Sequence, residues 1–208
     1  MPEVSERFRT AHGREWNQND VAIMYQSFEK HLFASLQDFT TPVPGVIETM
    51  EQLRREGIRI GSTTGYTDAM MKIVQPGAAA QGYTVDCLVT PDHLPAGRPA
   101  PYMIYRNMTE LAIPSVDEVV KVGDTIADIR EGLNAKVCSV GVITGSNELG
   151  LTEEEYKTMP EPELYTLKQE VRERMMAAGA HYVLDNIREL PDLIHNLMNK
   201  NCLLYTSP

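Results

Sequence analysis

Two carboxylates follow a short apolar segment in the stretch VVKVGDTIADIREG, where Asp124 comes at the end of the segment and Asp128 four residues later. A buried carboxylate is costly unless a cation or a cationic side chain lies beside it. Mg²⁺ prefers oxygen ligands and commonly bridges a phosphate to one or two carboxylates. Asp124, with Asp128 nearby, is therefore a candidate Mg²⁺ site, although Asp124 is also typical of a helix N-cap and Asp128 of a solvated helix face.

Two further segments carry groups that suit a phosphate. GSTTGYT places the hydroxyls of Ser62, Thr63 and Thr64 among glycines ahead of a predicted helix, where hydroxyls and backbone N–H groups can face an anion. AGRPAPYMIY places Arg98 just before a helix that begins at prolines, and a guanidinium can neutralise phosphoryl oxygens. The three segments together predict a site for a phosphoryl group and a hard divalent cation. Turn or capping roles for the hydroxyls, and a surface role for Arg98, are the alternatives.

The elements that must position these residues alternate along the chain. Strands are predicted at 58–64, 87–90, 119–123, 138–144 and 180–185, and helices at 66–80, 101–112 and 125–134, with a last helix that ends by Lys200. Short, nearly continuous apolar strands that alternate with helices are typical of a parallel sheet covered on both faces. Since ligands bind at the carboxyl ends of such strands, the three polar segments are expected to converge there.

Composition limits the classes of partner. The chain has 208 residues, 29 acidic against 19 basic, and a formal net charge of −10, which argues against nucleic acid or an anionic membrane as the main partner. The three cysteines form no C-x-x-C pair, and no apolar stretch approaches the length of a signal peptide or a membrane span. We therefore expect a cytoplasmic protein that acts on a small molecule.

The three polar segments, in this order, resemble motifs of the haloacid dehalogenase superfamily: a strand ending in Ser or Thr, a Lys or Arg before P-x-P, and G-D followed by a second Asp. Four longer segments resemble the phosphonoacetaldehyde hydrolase family of that superfamily: GSTTGYTDAMM, LVTPDHLPAGRPAPYMIYRNM, KVGDTIADIREGLNA and GVITGSNELGLTEEE. The resemblance extends from about residue 1 to residue 195. It implies an α/β fold with a Rossmann-like core and a helical cap.

The resemblance also implies a reaction, the cleavage of the carbon–phosphorus bond of phosphonoacetaldehyde to acetaldehyde and phosphate with Mg²⁺. In that family a cap lysine forms an imine (Schiff base) with the aldehyde, and an aspartate at the end of the first core strand takes the phosphoryl group. Carried over by position, the resemblance implies a catalytic set of Arg98, Thr64 and Tyr66, a phosphate-binding set of Ser62, Thr63, Thr64 and Arg98, and a metal set of Asp124 and Asp128.

The sequence departs from the family pattern at its N-terminal end. Ahead of Gly61 no aspartate ends an apolar strand in the family's D-x-A-G-T context, and Lys30, the only lysine there, lies within an amphipathic helix predicted at 20–38. We therefore expect an N-terminally truncated family member, with the C-terminal part of a helical cap at 1–40, a core at 41–200 that lacks its first strand, and a tail of doubtful origin at 201–208.

A core without a central strand predicts two unpaired sheet edges and association with whatever supplies that strand. A homodimer through the cap is a further expectation from the resemblance. The sequence is compatible with two alternatives to the phosphonatase function. The chain could be a non-catalytic fragment that binds phosphate, or a generic phosphatase of the same superfamily.

Overall fold

The computed structural model describes residues 2–204 and has the predicted alternation of strands and helices. The strands are β1 Gly61–Thr63, β2 Cys87–Val89, β3 Val120–Gly123, β4 Cys138–Val142 and β5 Tyr182–Leu184. The helices are α1 Pro2–His12, α2 Gln18–Ser35, α3 Val46–Arg55, α4 Asp68–Ala80, α5 Tyr102–Glu110, α6 Ile126–Ala135, α7 Glu153–Thr158, α8 Glu161–Ala177 and α9 Leu190–Leu204. The predicted α/β class is confirmed.

The parallel strands form two separate sheets. β1 pairs with β2 in what we call the two-stranded part, and β3, β4 and β5 pair in that order in the three-stranded part. Within residues 2–204 no backbone hydrogen bond joins β1 to β3. The predicted interruption of the parallel sheet is therefore present, and the sides of β1 and β3 that face away from their partners pair with no described strand.

Each face of the three-stranded part carries an apolar cluster. On one face Val122 of β3 and Val140 of β4 pack with Leu53 of α3 and Leu190 of α9. On the other face the fully buried members of the cluster are Ile129, Ile143, Val171 and Met175. Side chains alternate along a strand, so residues next to the valines, such as Lys121 and Gly123, face α6.

The strands are shorter than predicted. The structure places only Gly61–Thr63 of the segment 58–64 in β1, because the residues ahead of Gly61 have no strand to pair with. Ile60 instead donates its backbone N–H to the carboxylate of Asp86, at 2.7 Å. The periodicity of apolar residues predicted which strands and helices exist and in what order. Pairing between strands decided where each strand begins and ends.

The N-terminal helices expose apolar side chains. α2 begins at Asn17, whose side chain caps the helix in a capping box with Asp20, and the helix ends at Ser35 rather than at residue 38. Ile23, Tyr25 and Phe28 of this helix are more than half exposed. The helix predicted at 20–38 is confirmed, while the cap assignment of residues 1–40 stays a prediction.

The last helix differs from the prediction. It continues through Leu204 instead of ending by Lys200, and leucine is a good helix former, which agrees with this continuation. Residues 205–208 of the predicted tail lie outside the described residues. In the described part of the chain, no helix has the length and apolar character needed to cross a membrane.

Candidate active site

Arg98 and Asp128 form an ion pair at the carboxyl edge of the sheet. Nη1 of Arg98, in the loop after β2, donates to Oδ1 of Asp128, in the first turn of α6. The Asp128 side chain is 4% exposed and that of Arg98 22%, so solvent screens this pair far less than a surface pair. The structure thus brings together two residues predicted separately for the phosphate and the metal.

The start of α6 holds Asp128 in place. Thr125 caps the helix, because its Oγ1 accepts the backbone N–H of Asp128 at 3.1 Å. The same hydroxyl donates to Oδ2 of Asp128 at 2.5 Å. Gly123 makes room for this arrangement, since a Cβ atom there would lie 2.2 Å from the Cβ of Asp128. The glycine of the G-D-T sequence is therefore required by the close approach of β3 and α6.

Lys121 of β3 is a central residue of the site that the sequence analysis did not identify. Its Nζ lies 3.0 Å from Oδ1 of Asp128, 2.9 Å from Oε2 of Glu131 and 2.8 Å from Oγ1 of Thr63. The Thr63 hydroxyl in turn donates to Oε2 of Glu131 at 3.0 Å. We call these four residues, Thr63, Lys121, Asp128 and Glu131, the lysine cluster.

The lysine cluster is buried and charged. The Lys121 side chain is 10% exposed and that of Glu131 is fully buried. Among residues 2–204, Oε1 of Glu131 has no hydrogen-bond partner, while Oε2 has two. Charged groups are found at such depth only when they are paired, which the contacts of Lys121 with Asp128 and Glu131 provide.

The cations also set the ionisation of Asp128. Burial raises the pKa of a carboxyl group, but here the charge of Lys121, the hydroxyl of Thr125 and the charge of Arg98 outweigh burial and lower the pKa of Asp128 below its ordinary value. Asp128 is therefore a carboxylate at neutral pH, and it stays paired with both cations.

The turn after β1 lies next to Arg98. A Cβ atom on Gly65 would be 3.4 Å from Nη2 of Arg98, so the guanidinium faces this turn. Oγ1 of Thr64 accepts the backbone N–H of Tyr66 at 3.1 Å, and both residues are half-buried. Thr64 and Tyr66 flank Gly65 in this turn, and their catalytic and phosphate-binding roles stay predictions.

The other two hydroxyl residues of this segment point in different directions. Thr63 belongs to the lysine cluster, whereas the hydroxyl of Ser62 is hydrogen-bonded to Tyr83. That hydrogen bond only partly offsets burial, which raises the pKa of Tyr83. Both hydroxyls are therefore engaged within the protein, and their predicted contact with phosphate remains a prediction.

Asp124 occupies the end of β3, where a phosphate and a metal could meet. Its Oδ2 accepts the backbone N–H of Asn147 at 3.0 Å, and the side chain is half-buried. Among the described residues there is no group of three or more His, Cys, Asp or Glu side chains that could hold a metal. Asp124 offers carboxylate oxygens, the ligand type that Mg²⁺ prefers.

Asp128 is less suited to direct metal contact in this arrangement. Its two oxygens already accept from Arg98, Lys121 and Thr125. The geometry is compatible with Asp124 as the protein ligand and Asp128 as its neighbour. The metal role of both residues remains a prediction.

Two signals in the sequence could have identified the lysine cluster. Lys121 interrupts an otherwise apolar strand, VVKVG, at a position that faces α6. Asp128 and Glu131 are spaced three residues apart, which places both carboxylates on one side of α6. A lysine inside a strand and an acidic stripe next to it predict an internal ion pair.

Comparisons with known proteins show the family of this chain. The family described as haloacid dehalogenase-like hydrolase matches residues 4–136. A phosphonoacetaldehyde hydrolase of Parabacteroides distasonis is 68% identical over 201 residues, which cover 97% of this chain and 76% of that protein. This chain belongs to the phosphonoacetaldehyde hydrolase family. The family predicted from the sequence is thereby confirmed.

Further members of the phosphonoacetaldehyde hydrolase family support the assignment. The protein of that name from Bacteroides fragilis is 58% identical over 200 residues, 96% of this chain and 76% of the relative. A crystal structure of a phosphonoacetaldehyde hydrolase-like protein from Oleispira antarctica superimposes with a TM-score of 0.86 at 31% identity, covering 94% of this chain and 71% of that one. The similarity thus extends over the cap-like helices and both parts of the sheet.

Proposed function

We propose that this chain forms the phosphate-binding and Mg²⁺-binding part of a site that cleaves the carbon–phosphorus bond of phosphonoacetaldehyde, giving acetaldehyde and phosphate. One observation carries the proposal. A partly exposed guanidinium, that of Arg98, lies between the turn after β1 and the carboxylate of Asp128 at the carboxyl edge of the sheet. The strong similarity to named phosphonoacetaldehyde hydrolases supports this choice of substrate.

In the proposed site Arg98 binds the phosphoryl oxygens. A guanidinium offers five N–H donors, and Asp128 engages only one of its nitrogens, Nη1. The hydroxyl of Thr64 and the backbone N–H of Gly65 are proposed to add neutral donors beside it. The phenol of Tyr66 is the next polar group along the turn and is proposed to face the substrate.

In this proposal Asp124 holds Mg²⁺ together with water and the phosphoryl oxygens. When bound, Mg²⁺ supplies positive charge against the charge of the phosphoryl group. Asp124 is fixed by the N–H of Asn147, so its second oxygen can face the site. Asp128 keeps Arg98 in place instead of competing for the metal.

The described residues offer no evident nucleophile or imine-forming amine. The amine of Lys121 is hydrogen-bonded on three sides by Thr63, Asp128 and Glu131, so it is not free to attack an aldehyde. Lys30 is an exposed residue of α2. The proposed reaction therefore needs a carboxylate and an amine from a segment that binds beside β1 and β3.

A complementation assay tests the proposal. The 208-residue chain is compared with the same chain joined at its N-terminus to the segment that precedes the matched region in the Parabacteroides distasonis relative. Both are incubated with phosphonoacetaldehyde and Mg²⁺, and acetaldehyde and phosphate are quantified. We expect equal amounts of both products from the joined chain and background from the 208-residue chain.

Variants and a second substrate give the controls. Asp124→Ala in the joined chain should abolish product, whereas Asp192→Ala, an exposed position in α9, should not change the rate. Release of phosphate from a phosphate monoester but none from phosphonoacetaldehyde would replace this proposal with a general phosphatase. A joined chain that is inactive on both would favour a non-catalytic phosphate-binding role.

A further inference from the structure

The lysine cluster saturates an ammonium group. A lysine ammonium has three N–H donors, and Nζ of Lys121 has three acceptors, Thr63, Asp128 and Glu131, at distances between 2.8 and 3.0 Å. The acceptors come from β1 and α6, while Lys121 itself belongs to β3. One side chain therefore joins the two-stranded part, the three-stranded part and the helix that carries Asp128.

The hydroxyl of Thr63 links Lys121 to Glu131 within the lysine cluster. The Thr63 hydroxyl accepts from Lys121 and donates its single proton to Oε2 of Glu131. Glu131 must be an acceptor at this oxygen, which accepts from both Thr63 and Lys121. Lys121 therefore pairs with two carboxylates, those of Asp128 and Glu131, which lie three residues apart on the same helix.

The backbone is shaped around these side chains. Gly132 lies against Lys121, since a Cβ atom on Gly132 would be 3.1 Å from the Cβ of Lys121. The same Cβ atom would be 2.8 Å from Oγ of Ser139, a fully buried residue of β4. A larger residue at position 132 would separate α6 from the strands, and the lysine could no longer reach both carboxylates.

The pairing of Lys121 with both carboxylates determines how many N–H groups of Arg98 are hydrogen-bonded within the protein. Without Lys121, two neighbouring carboxylates would compete for one guanidinium, which would turn more of its N–H groups inwards. With Lys121 present, only Nη1 of Arg98 is hydrogen-bonded to a described residue, and Nη2 lies beside Gly65 at the open turn. Nη2 of Arg98 therefore lies at the turn where the phosphate is proposed to bind.

We infer that Lys121 is a positioning residue of the anion site: by neutralising Asp128 and Glu131 together, it leaves Arg98 free to bind a phosphoryl group. The inference rests on the proposed function, because it assumes that Arg98 is the anion-binding group. Lys121 itself does not contact the anion, since its three donors are already used. The two carboxylates, and not the phosphate, are its partners.

Binding of inorganic phosphate, measured by isothermal titration calorimetry with a fixed excess of MgCl₂, tests the inference on the chain as it is. Lys121→Met should weaken binding about ten-fold, because Arg98 then pairs with a second carboxylate. The double variant Lys121→Met/Glu131→Gln removes one positive and one negative charge. It should return the affinity to within about three-fold of the unmodified chain.

The control is Lys72→Met, an exposed lysine of α4, which changes net charge equally and should alter the affinity less than about two-fold. Circular dichroism and urea unfolding confirm that each variant is folded. If the Lys121→Met variant does not fold, phosphate binding by the Glu131→Gln variant tests the inference instead. That variant should bind phosphate at least as well as the unmodified chain, and weaker binding would contradict the inference.

The remaining outcomes separate the two proposals. Equal loss of affinity in the single and double variants would mean that Lys121 attracts the anion by its own charge, and would overturn the inference. So would unchanged affinity in Lys121→Met, which leaves the proposed function intact. Absence of phosphate binding by the unmodified chain would overturn both the proposed function and the inference.

Discussion

The two parts of the sheet differ in how deeply the side chains of their strands and helices are buried. The three-stranded part lies between two apolar clusters, and side chains such as Ile129, Ile143 and Met175 are fully buried there. In the two-stranded part, by contrast, α4 contributes no buried residue and β1 has none. The helix α5 joins the parts through a small cluster in which Ile104 packs with Ala135 and Val137.

The site lies where these two parts meet. Thr63, Thr64 and Arg98 belong to the two-stranded part or its loops, while Lys121 and Asp128 belong to the three-stranded part. The hydrogen bonds and ion pairs between them replace the backbone pairing that β1 and β3 do not make with each other. The charged groups that are proposed to bind phosphate therefore also link the two parts of the sheet. For this reason the stability of the fold and the geometry of the site depend on each other.

The largest expected effect contrasts two methionines. Met175→Ala, in the fully buried cluster of the three-stranded part, should lower the free energy of unfolding by about 4 kcal/mol, because it leaves a cavity. Met71→Ala, at a half-buried position of α4, should cost only about 1 kcal/mol. Urea unfolding gives both values. Equal losses would mean that the two parts are equally well packed.

A second prediction concerns Gly123, at the junction itself. Gly123→Ala should destabilise the chain by about 3 kcal/mol, since the new Cβ atom would lie 2.2 Å from the Cβ of Asp128 and must separate β3 from α6. Gly65→Ala is the matched control, because its Cβ atom would meet Arg98 only at 3.4 Å and should cost about 0.5 kcal/mol. If both variants unfold at the same urea concentration, β3 and α6 are not in close contact.

The third and smallest effect is a dependence on pH. The native pKa of Asp128 is lowered, so its ion pairs stabilise the fold fully above the unfolded pKa of about 3.9, and this stabilisation is lost as the pH falls through the native pKa. Asp128→Asn should therefore cost about 2 kcal/mol at pH 7 and progressively less below about pH 4. Urea unfolding from pH 7 to pH 3 measures the difference.

The control for this series is Asp192→Asn, an exposed residue of α9, whose effect should be small across the range. A difference between the unmodified chain and Asp128→Asn that stays constant down to pH 3 would contradict the prediction. It would indicate that Asp128 acts through shape and hydrogen bonding and not through charge.

Much of the fold and part of the site were predictable. Alternating apolar segments predicted the order of strands and helices, and three polar segments predicted that Arg98 and Asp128 lie close together. The prediction missed Lys121 and Glu131, because a lysine in a strand and a glutamate in a helix are most often solvated. Alternation along β1 sends Ser62 and Thr63 to opposite faces, and their shared phosphate-binding role stays a prediction.

The sequence by itself determined which segments form strands and helices, which residues end the strands and to which family the chain belongs, because these depend on local periodicity and motifs. Only the tertiary structure decided that Thr63 and Lys121, 58 residues apart, share a hydrogen bond, and that Lys121 balances two buried carboxylates. The reason is physical. Charge pairing inside a protein depends on distances between elements, and those distances are set by packing that no local pattern records.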